Sequence, residues 1–320
     1  MYVLYADNAN TLKQRSQLFD QHFEPVLQRI EAAYRAGKVP ANLLEIPEYL
    51  LVCRWPFRKL EYSLALDVLL NHLKPGDTYL DAGCGATPLA YILAGRGVKA
   101  TAIDGNPRLI KDLIAFRPQD VYGSDVTLEH QDLTHLTYAD NTFNAVSCIS
   151  VVEHIPAPLD QDAIQEMLRV LKTGGLFILT LDYRPPMPTT NNGDPSSKLG
   201  YYIKRTANLV RDGKVSEVFQ GLNRKLAAQQ VVQAGKARHA RSGNQNFEIA
   251  HLTQDIEPLL AGEFVSNSFG YSTDLHSVTS EDAYKFWQLD GIYNTANVSN
   301  VTSAGTYRPI LPVAFVIKKP

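Results

Sequence analysis

Thr78-Tyr79-Leu80-Asp81-Ala82-Gly83-Cys84-Gly85-Ala86-Thr87-Pro88-Leu89-Ala90 is the stretch around which this chain is organised. A short apolar run ends in an acid, breaks at two glycines one residue apart, and resumes with a helical pattern. Glycine at 83 and 85 lets a strand turn sharply while its backbone stays close enough to touch a ligand. Thr87 is the expected N-cap of the following helix, with Pro88 at its first position, where the missing N–H is harmless. The turn reads as the seat of a nucleoside-shaped cofactor.

Outward from that turn the chain alternates strand and helix. Strand patterns cover Thr78–Asp81, Lys99–Ile103, Val126–His130, Ala145–Ile149 and Leu176–Leu181. Helical patterns cover Pro88–Ala94, Pro107–Ala115 and Asp160–Leu171, the last carrying a stripe of Ile164, Met167, Leu168 and Leu171 that Gly174-Gly175 should end. Such alternation predicts a doubly wound α/β fold with a parallel sheet, and a ligand at the carboxyl ends of its strands. Further along, Glu263–Tyr271 and Ile310–Lys318 are apolar enough to extend the sheet. Upstream, residues 1–75 read as mainly helical, with Leu18, Phe19, Phe23, Val26, Leu27 and Ile30 at helical spacing and a second amphipathic stretch from Leu60 to Leu73.

The predicted organisation is a helical N-terminal cap over 1–75, a cofactor-binding core over 76–183, a mostly helical insertion over 184–250, and completion of the sheet by 251–320. The insertion is basic. Between 184 and 247 eleven Lys and Arg stand against three acids, although the whole chain carries a net charge of only −2. A charge run of this kind is most simply a solvated helical surface.

Two acids and the exit of a strand mark the crevice. Asp104 closes the second strand, where a carboxylate can accept hydrogen bonds from both hydroxyls of a ribose. Asp132, in His130-Gln131-Asp132-Leu133, can hold the exocyclic amine of an adenine. Ser147-Cys148-Ile149-Ser150-Val151-Val152-Glu153-His154-Ile155 leaves the fourth strand toward the same place. A dinucleotide site asks for a third glycine, and here that position is Pro88.

As an ordered set, Leu-Asp-Ala-Gly-Cys-Gly, Ala-Ile-Asp-Gly-Asn, Gln-Asp-Leu, Glu-His-Ile and Leu-Lys-Thr-Gly-Gly resemble a class I S-adenosylmethionine-dependent methyltransferase, of the small-molecule group with a Glu-His-Ile motif after the fourth strand. The resemblance covers about residues 78–182. It implies a Rossmann-like, seven-stranded sheet with an antiparallel last strand, and S-adenosylmethionine as cofactor. It gives Asp81, Gly83 and Gly85 to the methionine end, with Cys84 between them contributing backbone. Asp104 goes to the ribose, Gly105 and Asn106 to the space beside the adenine, and Asp132 and Leu133 to the adenine amine and edge. Ser150 would lie beside the cofactor, and Glu153 and His154 would face the substrate. His154 is the candidate catalytic base, since an imidazole can take a proton at physiological pH.

Composition sets the remaining bounds. With 45% hydrophobic and 20% charged residues, the chain has no global pull toward nucleic acid or membrane. Three widely spaced cysteines suggest neither a disulfide framework nor a zinc site, so no metal is expected and a cytoplasmic, reducing setting is. No apolar run approaches the ~20 residues that span a bilayer. The expected partner is a small-molecule acceptor, touched by aromatics such as Trp55, Tyr201, Tyr202 or Phe219. Two alternatives stand beside it: an RNA or phosphorylated acceptor held by the basic insertion, and a non-catalytic cofactor-binding protein.

Overall fold

The computed structural model describes residues 1–37, 53–117, 119–183, 252–265, 269–278 and 311–320, and five residues between 282 and 289. The described residues belong to a unit made of Met1–Pro186 and Gln245–Pro320. The basic insertion, with Tyr201, Tyr202 and Phe219, lies outside the described residues.

At the centre is a sheet of order β1-β8-β6-β5-β2-β3-β4, with β7 also on β8. β2 (Thr78–Ala82), β3 (Lys99–Asp104), β4 (Thr127–His130), β5 (Phe143–Ile149) and β6 (Leu171–Tyr183) are parallel, and β8 (Leu311–Lys318) runs antiparallel to β6. The inner strands are buried over most of their length and mainly apolar, as expected where helices cover both faces. β2 pairs with β3 on one side and β5 on the other, so the chain leaves it in both directions across the sheet. This switch point puts Asp81–Gly85 at the mouth of a crevice.

The sheet has one strand more than expected. The outer edge of β8 is shared by β7 (Glu263–Phe264), paired at Lys318 and Ile317, and by β1 (Tyr2–Val3), paired at Ala314 and Val313. The expected strand over Glu263–Tyr271 is thus much shorter, and the N-terminal segment is not wholly helical. After β1 the N-terminal stripe divides into α1 (Ala9–Arg15), α2 (Gln17–His22) and α3 (Glu24–Arg35). Phe19 and Phe23 stack at 5.0 Å between ring centroids, and Tyr62 lies 5.2 Å from Phe23. Burying each ring contributes roughly 1.5–3 kcal/mol.

α4 (Pro56–His72) carries Tyr62 and is buried on almost every side, Glu61 and Ser63 included, against β5, β6 and β8. The helices after the strands are α5 (Leu89–Ala94), α6 (Pro107–Phe116), α7 (Gln119–Tyr122) and α8 (Leu159–Val170). Two boundaries differ from expectation. Pro88, not Thr87, is the N-cap residue of α5, and no side chain caps that helix. α8 stops at Val170, because Leu171 already pairs with Phe143 and the Gly174 N–H donates to Lys319 O.

Candidate functional site

Gly83 and Gly85 hold positive φ, +74° and +53°, the region a glycine enters without penalty. The N–H groups of Gly83 and Cys84 both donate to Ile103 O at 2.8 Å, which fastens the turn to the end of β3. From there Asp104 reaches back, and its Oδ2 accepts the Gly85 N–H at 3.0 Å while Oδ1 accepts the Asn106 N–H at 2.8 Å. Asn106 is the N-cap of α6, accepting from the Arg108 and Leu109 N–H groups, so Asp104 is free of that duty.

Asp81 is buried beneath the turn, paired in register with Ser147. Its Oδ2 has no hydrogen-bond partner among the described residues. Burial pushes its carboxyl up to about 7, a hydrogen bond from Ser147 opposes this, and the charge of Asp104 adds to it. Burial likewise raises Asp104, against the two backbone N–H bonds. Two acids thus lie close enough for their charges to interact beside the glycine turn, with no basic side chain hydrogen-bonded to either among the described residues.

Across the crevice, Gly105 O meets His130 Nε2 at 3.2 Å, and Gln131 N donates to Asp104 O at 3.3 Å. This brings the start of the Asp132 loop beside Gly105. The Asp132 carboxylate, however, is exposed and accepts from Thr134 N at 2.9 Å and Thr134 Oγ1 at 2.8 Å; those bonds hold it below the usual carboxylate range. Leu133 is buried.

β5 delivers the last group. Ser150 has φ +51°, and its Oγ donates to Glu61 Oε1 at 2.6 Å, so its hydroxyl is turned to α4. Val151 presses on the glycine turn. A short 3-10 turn, Val152–His154, follows, with His154 N donating to Val151 O at 2.9 Å. His154 is half-buried. Glu153 is fully buried, and neither of its oxygens has a hydrogen-bond partner among the described residues. Burial and the charge of Asp182 drive its carboxyl well up, with Arg58 opposing.

Cys84 fills space behind the turn, its thiol raised by burial, and lines an apolar pocket with Leu27, Ile30, Cys53, Tyr91 and Tyr122. Trp55 packs edge-on to Phe57, 5.3 Å between centroids, just ahead of α4. Sequence reading missed Glu61 and Thr180, which bond to Ser150, and Asp182, whose charge acts on Glu153. For Glu61 a signal existed, since an acid between Leu60 and Leu64 falls on the apolar face of its own helix.

Residues 80–179 match the family model described as a methyltransferase domain. A ubiquinone biosynthesis O-methyltransferase of Xanthomonas campestris pv. campestris is 34% identical over 113 residues, 35% of this chain and 46% of that protein. A demethylmenaquinone methyltransferase of Desulfitobacterium hafniense is 31% identical over 123 residues, 38% of this chain and 48% of that protein. The chain therefore matches somewhat under half the length of these relatives. The crystal structure of a SAM-dependent methyltransferase from Methanosarcina mazei is 26% identical and covers 37% of this chain and 57% of its own, with a TM-score of 0.34.

Proposed function

We propose that residues 80–179, which match the methyltransferase-domain model, are a class I S-adenosylmethionine-dependent methyltransferase domain, and that the whole chain moves a methyl group to an O, N or C atom of a small-molecule acceptor. The observation that carries the reading is Asp81 Oδ2, a buried carboxylate oxygen with no hydrogen-bond partner among the described residues, beside Asp104 at the switch point of the sheet. An anion left bare in a low-dielectric site is costly, and a positively charged ligand removes that cost.

The residues fit S-adenosylmethionine. Asp81 would face its cationic methionine end. Asp104, already aimed by two backbone N–H groups, keeps acceptor capacity for a ribose diol. Gly83–Gly85 would supply close backbone. Gly105, Asn106, Asp132 and Leu133 would flank the adenine; both Thr134 bonds fall on Asp132 Oδ1, so Oδ2 would be the oxygen that accepts from the amine. When bound, the cofactor supplies an electrophilic methyl on a sulfonium. The protein's task is then to align the acceptor and to exclude water, since positioning accounts for much of the rate of such a displacement. In this reading His154 takes the proton from an acceptor hydroxyl or carbon acid, and Ser150 and Glu153 shape the turn that presents it.

A small acceptor is favoured by the relatives' names, which concern ubiquinone biosynthesis and demethylmenaquinone. The surplus of eight positive charges in 184–247 supports a second reading, an RNA or phosphorylated acceptor. A screen of acceptors coupled to release of S-adenosylhomocysteine separates the two. Release with a quinone precursor or other metabolite supports the first. Release with RNA alone replaces it, and absence of S-adenosylhomocysteine binding by calorimetry overturns both.

A further inference from the structure

We propose that Glu61 is a positioning residue for the methyl-transfer site: its buried carboxylate on α4 holds Ser150 in a left-handed conformation and thereby sets the turn Ser150–His154 against the glycine turn. The inference rests on the proposed function. It begins with the backbone. Ser150 has φ +51°, a region L-residues avoid because Cβ crowds the following carbonyl oxygen. Something must hold it there.

The hydrogen bonds identify what does. Ser150 N donates to Thr180 O at 3.0 Å and to Thr180 Oγ1 at 3.1 Å. Ser150 Oγ and Thr180 Oγ1 then both donate to one oxygen, Glu61 Oε1, at 2.6 and 2.7 Å. The other oxygen, Oε2, accepts from Arg58 Nη1 at 2.6 Å. One carboxylate, with no solvent exposure, therefore joins α4 to the ends of β5 and β6. Charge-assisted bonds of this geometry are the strong kind. A carboxylate satisfies both sides at once. A glutamine either sets its NH2 group against the Arg58 guanidinium or, flipped, turns that NH2 to the two hydroxyls and leaves their protons without this acceptor.

The conformation so held is transmitted directly. Val151 follows Ser150, and a Cβ on Gly83 would come within 2.5 Å of Val151 Cγ2. The two turns are in contact with no slack. Released into ordinary φ, Ser150 would redirect Val151 and disturb both the Gly83 turn and the placement of His154.

A double-mutant cycle on the full chain, read as S-adenosylhomocysteine affinity by calorimetry, tests this. Glu61→Gln should weaken binding about tenfold or more in the wild-type background, but less than about threefold in a Ser150→Gly background, where the left-handed conformation needs no tether. A role confined to core stability would give the same loss in both backgrounds, and that result overturns the proposal, as does unchanged affinity in Glu61→Gln. If Glu61→Gln does not fold, Ser150→Ala and Ser150→Gly decide. Both lose the hydroxyl, but alanine should bind at least about fivefold more weakly than glycine, and equal affinities reject the idea. Failure of the wild type itself to bind S-adenosylhomocysteine would instead sink the methyltransferase reading, and this inference with it.

Discussion

Gly83 and Val151 share space that leaves no room for a side chain at residue 83: a Cβ there would lie 2.5 Å from Val151 Cγ2 and 2.7 Å from Cγ1. Both contacts are to the branch of a stiff side chain, so neither yields easily. Gly83→Ala should therefore destabilise through two separable effects, about 1–3 kcal/mol of backbone strain at φ +74° and a similar amount from overpacking. Adding Val151→Ala should restore the second part and leave the first. Denaturant titration of the two variants checks the division.

Asp81 should make cofactor affinity depend on pH. Its carboxyl sits at about 7 in the fold, above its unfolded value near 4. A raised acid carries a stability penalty that is absent at low pH, grows as pH rises, and is complete above pH 7, of order 4 kcal/mol for this shift. The ammonium of the ligand's amino-acid end favours the ionised form, so S-adenosylhomocysteine, which keeps that ammonium though not the sulfonium charge, should bind more tightly as pH rises from 5 to 8, releasing part of a proton. Calorimetry in buffers of different ionisation enthalpy measures that proton. Asp81→Asn should remove the pH dependence, weaken binding, and raise the stability of the ligand-free protein at neutral pH.

Glu153 should act in the same direction on stability. Its carboxyl is raised well above the ordinary range, first by burial and then by Asp182. The unfolded chain loses this proton near pH 4, while the folded protein holds it to higher pH, so stability falls as pH climbs between the two values. Glu153→Gln keeps the shape without the charge. It should be more stable than wild type at pH 8, with the difference vanishing toward pH 4. Melting curves across that range decide it, and a less stable variant at pH 8 would mean Glu153 has an ionic role in the fold.

His154→Ala should lower turnover at least about a hundredfold while S-adenosylhomocysteine affinity moves less than about threefold. Unchanged turnover, measured with whichever acceptor the screen identifies, rules out the base.

The parts of this molecule legible in its sequence are those whose chemistry is local. The glycine turn follows from residues within a few positions of one another, and Asp104 from its place at the end of a strand pattern, whereas the cap at Asn106 was not read. Asp132-Leu133-Thr134 also encodes a side-chain turn onto Thr134, which sequence reading did not anticipate and which Asp132 Oδ1 makes. At Thr87 the expected cap failed because Pro88 itself occupies the cap position of α5. Leu171, read as the end of a helical stripe, belongs to β6 because pairing with Phe143 outweighs one more helical residue. Glu61 was not legible as a tether, because the hydroxyls it collects lie 89 and 119 residues away. Tyr2–Val3 is too short a strand to show any periodicity.

That short strand carries a kinetic consequence. β8 is laid against β6 on one side and against Tyr2–Val3 on the other, so residues from opposite ends of the sequence must meet before the sheet is closed. Contacts so distant along the chain form late, because the loop entropy is lost before the pairing is gained. On the ribosome the first strand waits, its hydrogen-bonding groups open, until β8 has emerged. The core strands β2 to β6 need no such wait. The protein should thus pass through a stage in which the crevice framework is assembled while the far edge of its sheet remains open, the stage at which it is most exposed to strand-pairing with another copy of itself.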